Sequence, residues 1–142
     1  MQSKHGYFFE DLTVGMSDSY TRTITEQDIS QFAEVSGDNN PVHMDAEFAA
    51  TTRFKKRIAH GMLSGSFIST VVGTQLPGPG CLYVSQTLKF RAPVYIGDSV
   101  TATVTITELN ERRGYVTLDT VCRVGDTDVI RGEAMMLVPK RT

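Results

Sequence analysis

The sequence predicts an α+β fold in which a strongly curved antiparallel sheet wraps one long central helix. Two stretches carry this expectation. From Ala59 to Thr74 the chain is apolar or small nearly all the way round, the composition of a helix buried on several sides. Pro77-Gly78-Pro79-Gly80 then breaks it, and a run of β-branched or alternating segments follows, separated by short polar turns. Strands joined by tight turns pair antiparallel, and a helix so widely apolar needs such a cover.

In chain order, Met1–Lys4 reads as a loose end and Tyr7-Phe8-Phe9 as an apolar segment tucking onto the body. Ser17 to Ile24 alternates, with Tyr20, Arg22 and Ile24 to one side, and reads as a first strand. Thr25-Glu26-Gln27-Asp28 starts a helix: the Thr25 hydroxyl can accept from the free amides, Asp28 can reach back, and Ile24 can staple onto Ile29. Ile29, Phe32 and Ala33, with Ser36 at the end, form its inward face. Gly37 stops it where a left-handed residue is wanted. Asp45 caps a second short helix, Ala46 to Thr52, whose Phe48 and Ala49 are expected to pack beneath the preceding turn.

After the long helix, Leu82 to Arg91, Asp98 to Leu109, Val116 to Val124 and Val129 to Val138 read as strands. Glu111-Arg112-Arg113-Gly114 and Gly125-Asp126-Thr127-Asp128 are the turns between the last three. Val100, Ala102, Val104 and Ile106 share one face, as do Val116, Leu118, Thr120 and Cys122, and Ile130, Ala134, Met136 and Val138. Arg131, Glu133, Met135 and Leu137 take the other face, exposed or against a partner.

A chain of 142 residues is the size of one domain with a real core, so residues 1–142 are expected to form a single domain. Formal charge is −2 and acidic and basic residues are interspersed, which argues against nucleic acid or anionic lipid as partner. The longest apolar run, Met62 to Leu76, is interrupted by Ser, Gly and Thr and falls short of a membrane span. Cys81 and Cys122 lack the spacing of a metal knuckle and the start of the chain lacks a signal peptide's apolar core. The expectation is a cytoplasmic protein with free thiols.

Candidate chemistry concentrates in Ser36-Gly37-Asp38-Asn39-Asn40-Pro41-Val42-His43. Gly37 permits a left-handed turn, Pro41 fixes its own φ and pushes Asn40 out of the helical region, and Asn side chains bond locally to the backbone. Asn40 and Pro41 therefore shape a turn that can aim two side chains at one point. Asp38 and His43 are suited to sharing a water, since a carboxylate accepts protons and an imidazole titrates near neutrality. The same residue types are ordinary turn formers, so the pair alone leaves a structural loop open. With His43 and Asp45 nearby, Asp38 gains no third ligand on a common face, and no metal is expected. Arg53-Phe54-Lys55-Lys56-Arg57 is the densest positive patch, either a solvated loop or a seat for phosphates at Lys55, Lys56 and Arg57. Gly61, opening the long helix, either serves as a turn glycine or leaves backbone amides bare as an oxyanion site. His60 beside it reads as structural.

Phe32, Ser36-Gly37-Asp38, Asn40-Pro41, His43 and Ala49, with their spacing, resemble the signature of the MaoC-like or (R)-specific enoyl-CoA hydratase family, often called hydratase 2. Ala59-His60-Gly61-Met62-Leu63 is similar to the family's second motif. Phe90-Arg91-Ala92-Pro93-Val94 with Gly97-Asp98 is similar to its third. The resemblance implies a hot-dog fold, the sheet being the bun and the helix the sausage, and commonly a homodimer. It implies reversible syn hydration of trans-2-enoyl-CoA to (R)-3-hydroxyacyl-CoA without cofactor or metal, the partner being an acyl-CoA thioester. Asp38 and His43 are then the catalytic pair, the aspartate as base and the histidine as proton donor, and the Gly61 amides are the oxyanion hole. Ser69 and Val72 are candidates for the acyl pocket. A hot-dog acyl-CoA thioesterase, which would direct water at the thioester itself, and a noncatalytic acyl-CoA binding subunit are the alternatives.

Overall fold

In the computed structural model, which describes residues 5–142, the chain runs through one turn of 3₁₀-helix (Phe9–Asp11), β1 (Ser17–Thr23), α1 (Glu26–Ser36), α2 (Pro41–Met44) and α3 (Ala46–Ala50). It continues through α4 (Gly61–Thr74), β2 (Leu82–Gln86), β3 (Lys89–Phe90), β4 (Ser99–Asn110), β5 (Tyr115–Val124) and β6 (Thr127–Leu137). The expected loose end at Met1–Lys4 lies outside the described residues.

The strands form one antiparallel sheet in the order β1-β4-β5-β6-β2, with β3 also paired to β6. Period-two patterning sets its register: Ala102 faces Cys122, which in turn faces Ile130, so the apolar sets of three neighbouring strands share the concave side. Against that side lies α4, its Phe67, Ile68, Val71 and Val72 buried among Val100, Val104, Leu118 and Met136. Phe9 and Leu12 join this core, so the N-terminal apolar segment does tuck in, with Phe9 N–H donating to Pro139 O at 2.8 Å. Both cysteines are free, and burial pushes the Cys122 thiol up to about 12, out of reactive range.

Local signals place α1 as expected. Thr25 Oγ1 accepts from Asp28 N–H, Asp28 Oδ2 accepts from Thr25 N–H, and Gly37 closes the helix at φ 79°. The buried Asp28 carboxylate also binds Arg22 of β1 at 2.6 Å, which fastens α1 to the sheet edge.

Four details differ from the expectation. The turn after Gly37 contains a helix of its own, α2, with Pro41 in its first turn and the Asn40 side chain accepting from Val42 N–H at 3.0 Å. Phe48 is exposed, and only Ala49 packs underneath: Asp45 caps α3 as predicted, but neighbouring residues stand about 100° apart on a helix, so with Ala49 inward Phe48 turns out. The strand expected over Leu82 to Arg91 breaks at Thr87-Leu88, because the Thr87 carbonyl crosses β6 over Gly132, where a Cβ would stand 1.8 Å from that oxygen. Finally, α4 is not enclosed all round: Met62, Ser66, Ser69 and Gly73 form an open stripe along it.

Candidate active site

The turn between α1 and α3 is held by its own side chains. Ser36 Oγ accepts from Asp38 N–H at 3.1 Å, Asp38 Oδ1 accepts from Asn40 N–H at 3.3 Å, and His43 N–H donates to Asn40 O at 2.9 Å. Asp38 is exposed at the cavity mouth, while His43 is buried at 8 % exposure. Arg57 clamps the base of α2: Nε donates to His43 O at 2.5 Å and both terminal nitrogens bind Glu26 at 2.7 and 2.9 Å. That bidentate pair ties the turn to the start of α1.

Two main-chain carbonyls fix the tautomers of two histidines. His43 Nδ1 lies 2.7 Å from Ile58 O, and His60 Nε2 lies 2.8 Å from Asp38 O. A carbonyl only accepts, so each of those nitrogens carries the hydrogen, leaving His43 Nε2 and His60 Nδ1 as bare acceptors. The rings stack at 4.0 Å between centroids. Burial pushes His43 below the ordinary imidazole value; the Ile58 and Asp38 oxygens oppose this, and His60 and Arg57 reinforce it. His43 is therefore a neutral ring with a free lone pair at neutral pH.

Asp38, His43 and His60 each bring one donor atom within 4.8 Å of the others. Two hydrogen bonds of about 2.8 Å meeting at a water oxygen span roughly 4.5 Å, so one water can touch the carboxylate and an imidazole together. His60 is also the third metal-type ligand that sequence spacing did not supply; it comes from the N-cap of α4, beyond α3. The donor set suits a divalent cation in number.

A cavity of about 450 Å³ opens beside these groups, lined by Asp38, His43 and His60 together with Gly61, Phe90 and Arg53. Leu63 N–H donates to His60 O at 3.1 Å, while the Gly61 and Met62 amides have no acceptor among the described residues and no side chain caps them at His60. Gly61 is thus at the cavity wall with its N–H uncommitted. It has a second reason to be glycine: a Cβ there would lie 2.7 Å from the Phe90 ring, which packs across it.

Other sequence candidates fall outside. Val72 is fully buried in the core, Ser69 lies on the open stripe of α4, and neither lines the cavity. Lys55 does not line it, Lys56 sits over the Tyr95 ring at 4.5 Å, and the Arg57 guanidinium is occupied by Glu26. Arg53 and Arg91 are the cations on the wall. Arg91 carried a signal, since it stands inside the third motif.

A curved antiparallel sheet around a helix, with an Asp–His pair on a turn beside the helix start, defines a hot-dog protein whose cavity brings a carboxylate and an imidazole together. The chain belongs to the MaoC-like domain family, whose model matches residues 13–126. It is 56 % identical to an (R)-specific enoyl-CoA hydratase of Rhodospirillum rubrum over 95 % of this chain and 94 % of that one. It is 49 % identical to a 3-hydroxybutyryl-CoA dehydratase of Methylorubrum extorquens, covering 94 % and 85 %. Among solved structures, the unliganded R-hydratase PhaJ1 of Pseudomonas aeruginosa superposes with a TM-score of 0.89 at 44 % identity, covering 94 % of this chain and 86 % of that one. Among the described residues no helix is long and apolar enough to cross a membrane.

Proposed function

We propose that the protein is an (R)-specific enoyl-CoA hydratase, a hydro-lyase that adds water reversibly and syn across the double bond of trans-2-enoyl-CoA. The observation that carries this is that a carboxylate oxygen of Asp38 and a ring nitrogen of His43 lie within 4.8 Å of each other, on the wall of a cavity that Gly61 also lines. The names and extents of the relatives support the substrate class.

In the proposed reaction, the thioester oxygen accepts from the Gly61 amide at the positive end of α4, which draws electron density away from C3. Water held by Asp38 and His43 adds its oxygen to C3. Because His43 Nε2 is a bare acceptor, it takes the water proton as the C–O bond forms, and the Asp38 carboxylate stabilises the imidazolium. The same Nε2–H then protonates C2 as the enolate collapses to the thioester. One base delivering both parts of water from one side accounts for syn addition. This assigns His43 both proton transfers, a different division from the one implied by resemblance, and makes Asp38 the electrostatic and orienting partner.

Arg53 and Arg91 at the cavity wall are suited to the CoA phosphates, in place of Lys55, Lys56 and Arg57. A homodimer is supported by the exposed apolar edge of β2, where Leu82, Tyr83 and Val84 are open, and by the uncovered stripe of α4. The reading includes one domain over residues 1–142 and a cytoplasmic location. The test is purified protein with trans-2-butenoyl-CoA, following enoyl absorbance and free thiol together. Falling absorbance without thiol supports hydration; thiol release would mean a thioesterase, and binding without turnover a noncatalytic subunit.

A further inference from the structure

We propose that His60 is a positioning residue which ties the two reactive side chains together, its single N–H holding the Asp38 main chain and its ring face holding the His43 ring. The inference rests on the hydratase reading and extends it to a residue outside the reacting atoms.

His60 is 2 % exposed, yet its Nδ1 has no hydrogen-bond partner among the described residues. A buried acceptor without a partner weakens a fold, and phenylalanine of similar shape would avoid the loss. What phenylalanine lacks is the N–H that reaches Asp38 O at 2.8 Å. An amide such as glutamine could supply that donor but not the flat face stacked on His43 at 4.0 Å and 30°. Phe32 also packs against this ring, its centroid 4.9 Å from that of His60. Only an aromatic ring with a donor at its far end meets both demands.

A separate observation concerns the helix end. His60 is the N-cap of α4, a position where Ser, Thr, Asp or Asn normally caps the first amides, and its side chain makes no capping bond. The ring turns away toward Asp38 instead. A capping side chain would fold over the Met62 or Leu63 amide beside Gly61, so histidine at 60 positions the turn and leaves the helix start open to a ligand.

Two variants separate the two contacts. His60→Gln keeps a donor for Asp38 and removes the stacked face; His60→Phe keeps the face and removes the donor. Each is measured in the full chain on trans-2-butenoyl-CoA for kcat, KM and the pH profile of kcat/KM, with thermal unfolding as the check on folding. Both are expected to lose roughly 10- to 100-fold in kcat with KM little changed, as for misplaced reactive groups. In His60→Gln, water reaches the exposed His43 face and His43 titrates higher, so the acid limb moves to higher pH. Asp38, Arg57 and the Ile58 carbonyl, the other groups facing His43, are unaltered. In His60→Phe the ring still covers His43, so the limb moves less than in His60→Gln while kcat falls. Wild-type kcat and limb in a folded variant of either kind would overturn the inference, as would a limb that moves in His60→Phe and not in His60→Gln. Inert wild-type protein would remove the hydratase reading and this inference with it, whereas active wild type with indifferent variants removes the inference alone.

Discussion

Asp38→Asn is the substitution whose consequences the structure fixes most fully. The carboxylate is exposed, and its local contact, Oδ1 accepting from Asn40 N–H at 3.3 Å, can be remade by the asparagine carbonyl. The backbone oxygen held by His60 is untouched. Stability should therefore stay within about 0.5 kcal/mol of wild type, as for surface changes generally. Turnover is another matter. Opposite charges 4.8 Å apart, the limit on the Asp38–His43 separation, attract by about 3.5 kcal/mol at an effective dielectric near 20 and about half that with the screening an exposed group receives. Losing that stabilisation of the imidazolium, together with the carboxylate's grip on water, should lower kcat by about 10²–10³-fold, within the range of general acid–base effects. The assay is the fall in enoyl absorbance under saturating trans-2-butenoyl-CoA, beside thermal unfolding of the same sample. A folded Asp38→Asn variant that keeps wild-type turnover would refute the reasoning.

Arg57→Lys keeps the charge but gives up the fork on Glu26 and the bond to His43 O; unfolding in urea should show a loss of about 1–2 kcal/mol, with turnover reduced as α2 loosens. Gly61→Ala places a Cβ 2.7 Å from the exposed Phe90 ring, which can swing aside. The stability change should be under about 1 kcal/mol while turnover falls about tenfold or more, and adding Phe90→Ala should recover stability without recovering turnover. Stability should also fall with acidification through His43. Its folded value lies below the ordinary 6.5, so above that pH both states are neutral and its contribution is complete. Below it the unfolded chain takes up a proton that the folded ring resists, and stability is lost. Urea midpoints measured from about pH 7.5 to about pH 5.5 should drop, and His43→Gln should flatten the slope. Asp28, held below 3.8 by Arg22, acts only at lower pH.

What could be read from the sequence was what is decided over a few residues. Thr25 and Asp28 cap α1 reciprocally and Gly37 ends it, because capping depends on neighbours three and four positions away. The alternation of Val100, Ala102, Val104 and Ile106 fixed the inner face of β4 for the same reason. The Asp38–His43 turn was recognisable because its shape is imposed by Gly37, Asn40 and Pro41 themselves. Contacts closed by tertiary structure were not legible. His60 meets Asp38 across 22 residues and His43 meets Ile58 across 15. Nothing within either segment distinguishes such a histidine from a merely buried one. Arg57 looked available for phosphate because its partner, Glu26, lies 31 residues earlier. The break between β2 and β3 depends on Gly132 from a later strand, and the outward turn of Phe48 on which of two adjacent residues, Phe48 or Ala49, the body takes in.

Hydration in D2O tests the central claim most directly, because it reads the path of the proton as well as the product. If His43 takes a deuteron from the water that it and Asp38 hold and returns it to C2, trans-2-butenoyl-CoA should give (R)-3-hydroxybutanoyl-CoA with a single C2 deuteron on the same face as the new hydroxyl, resolved by proton NMR. Deuterium on the opposite face, the (S) alcohol, or free thiol in place of hydration would contradict it.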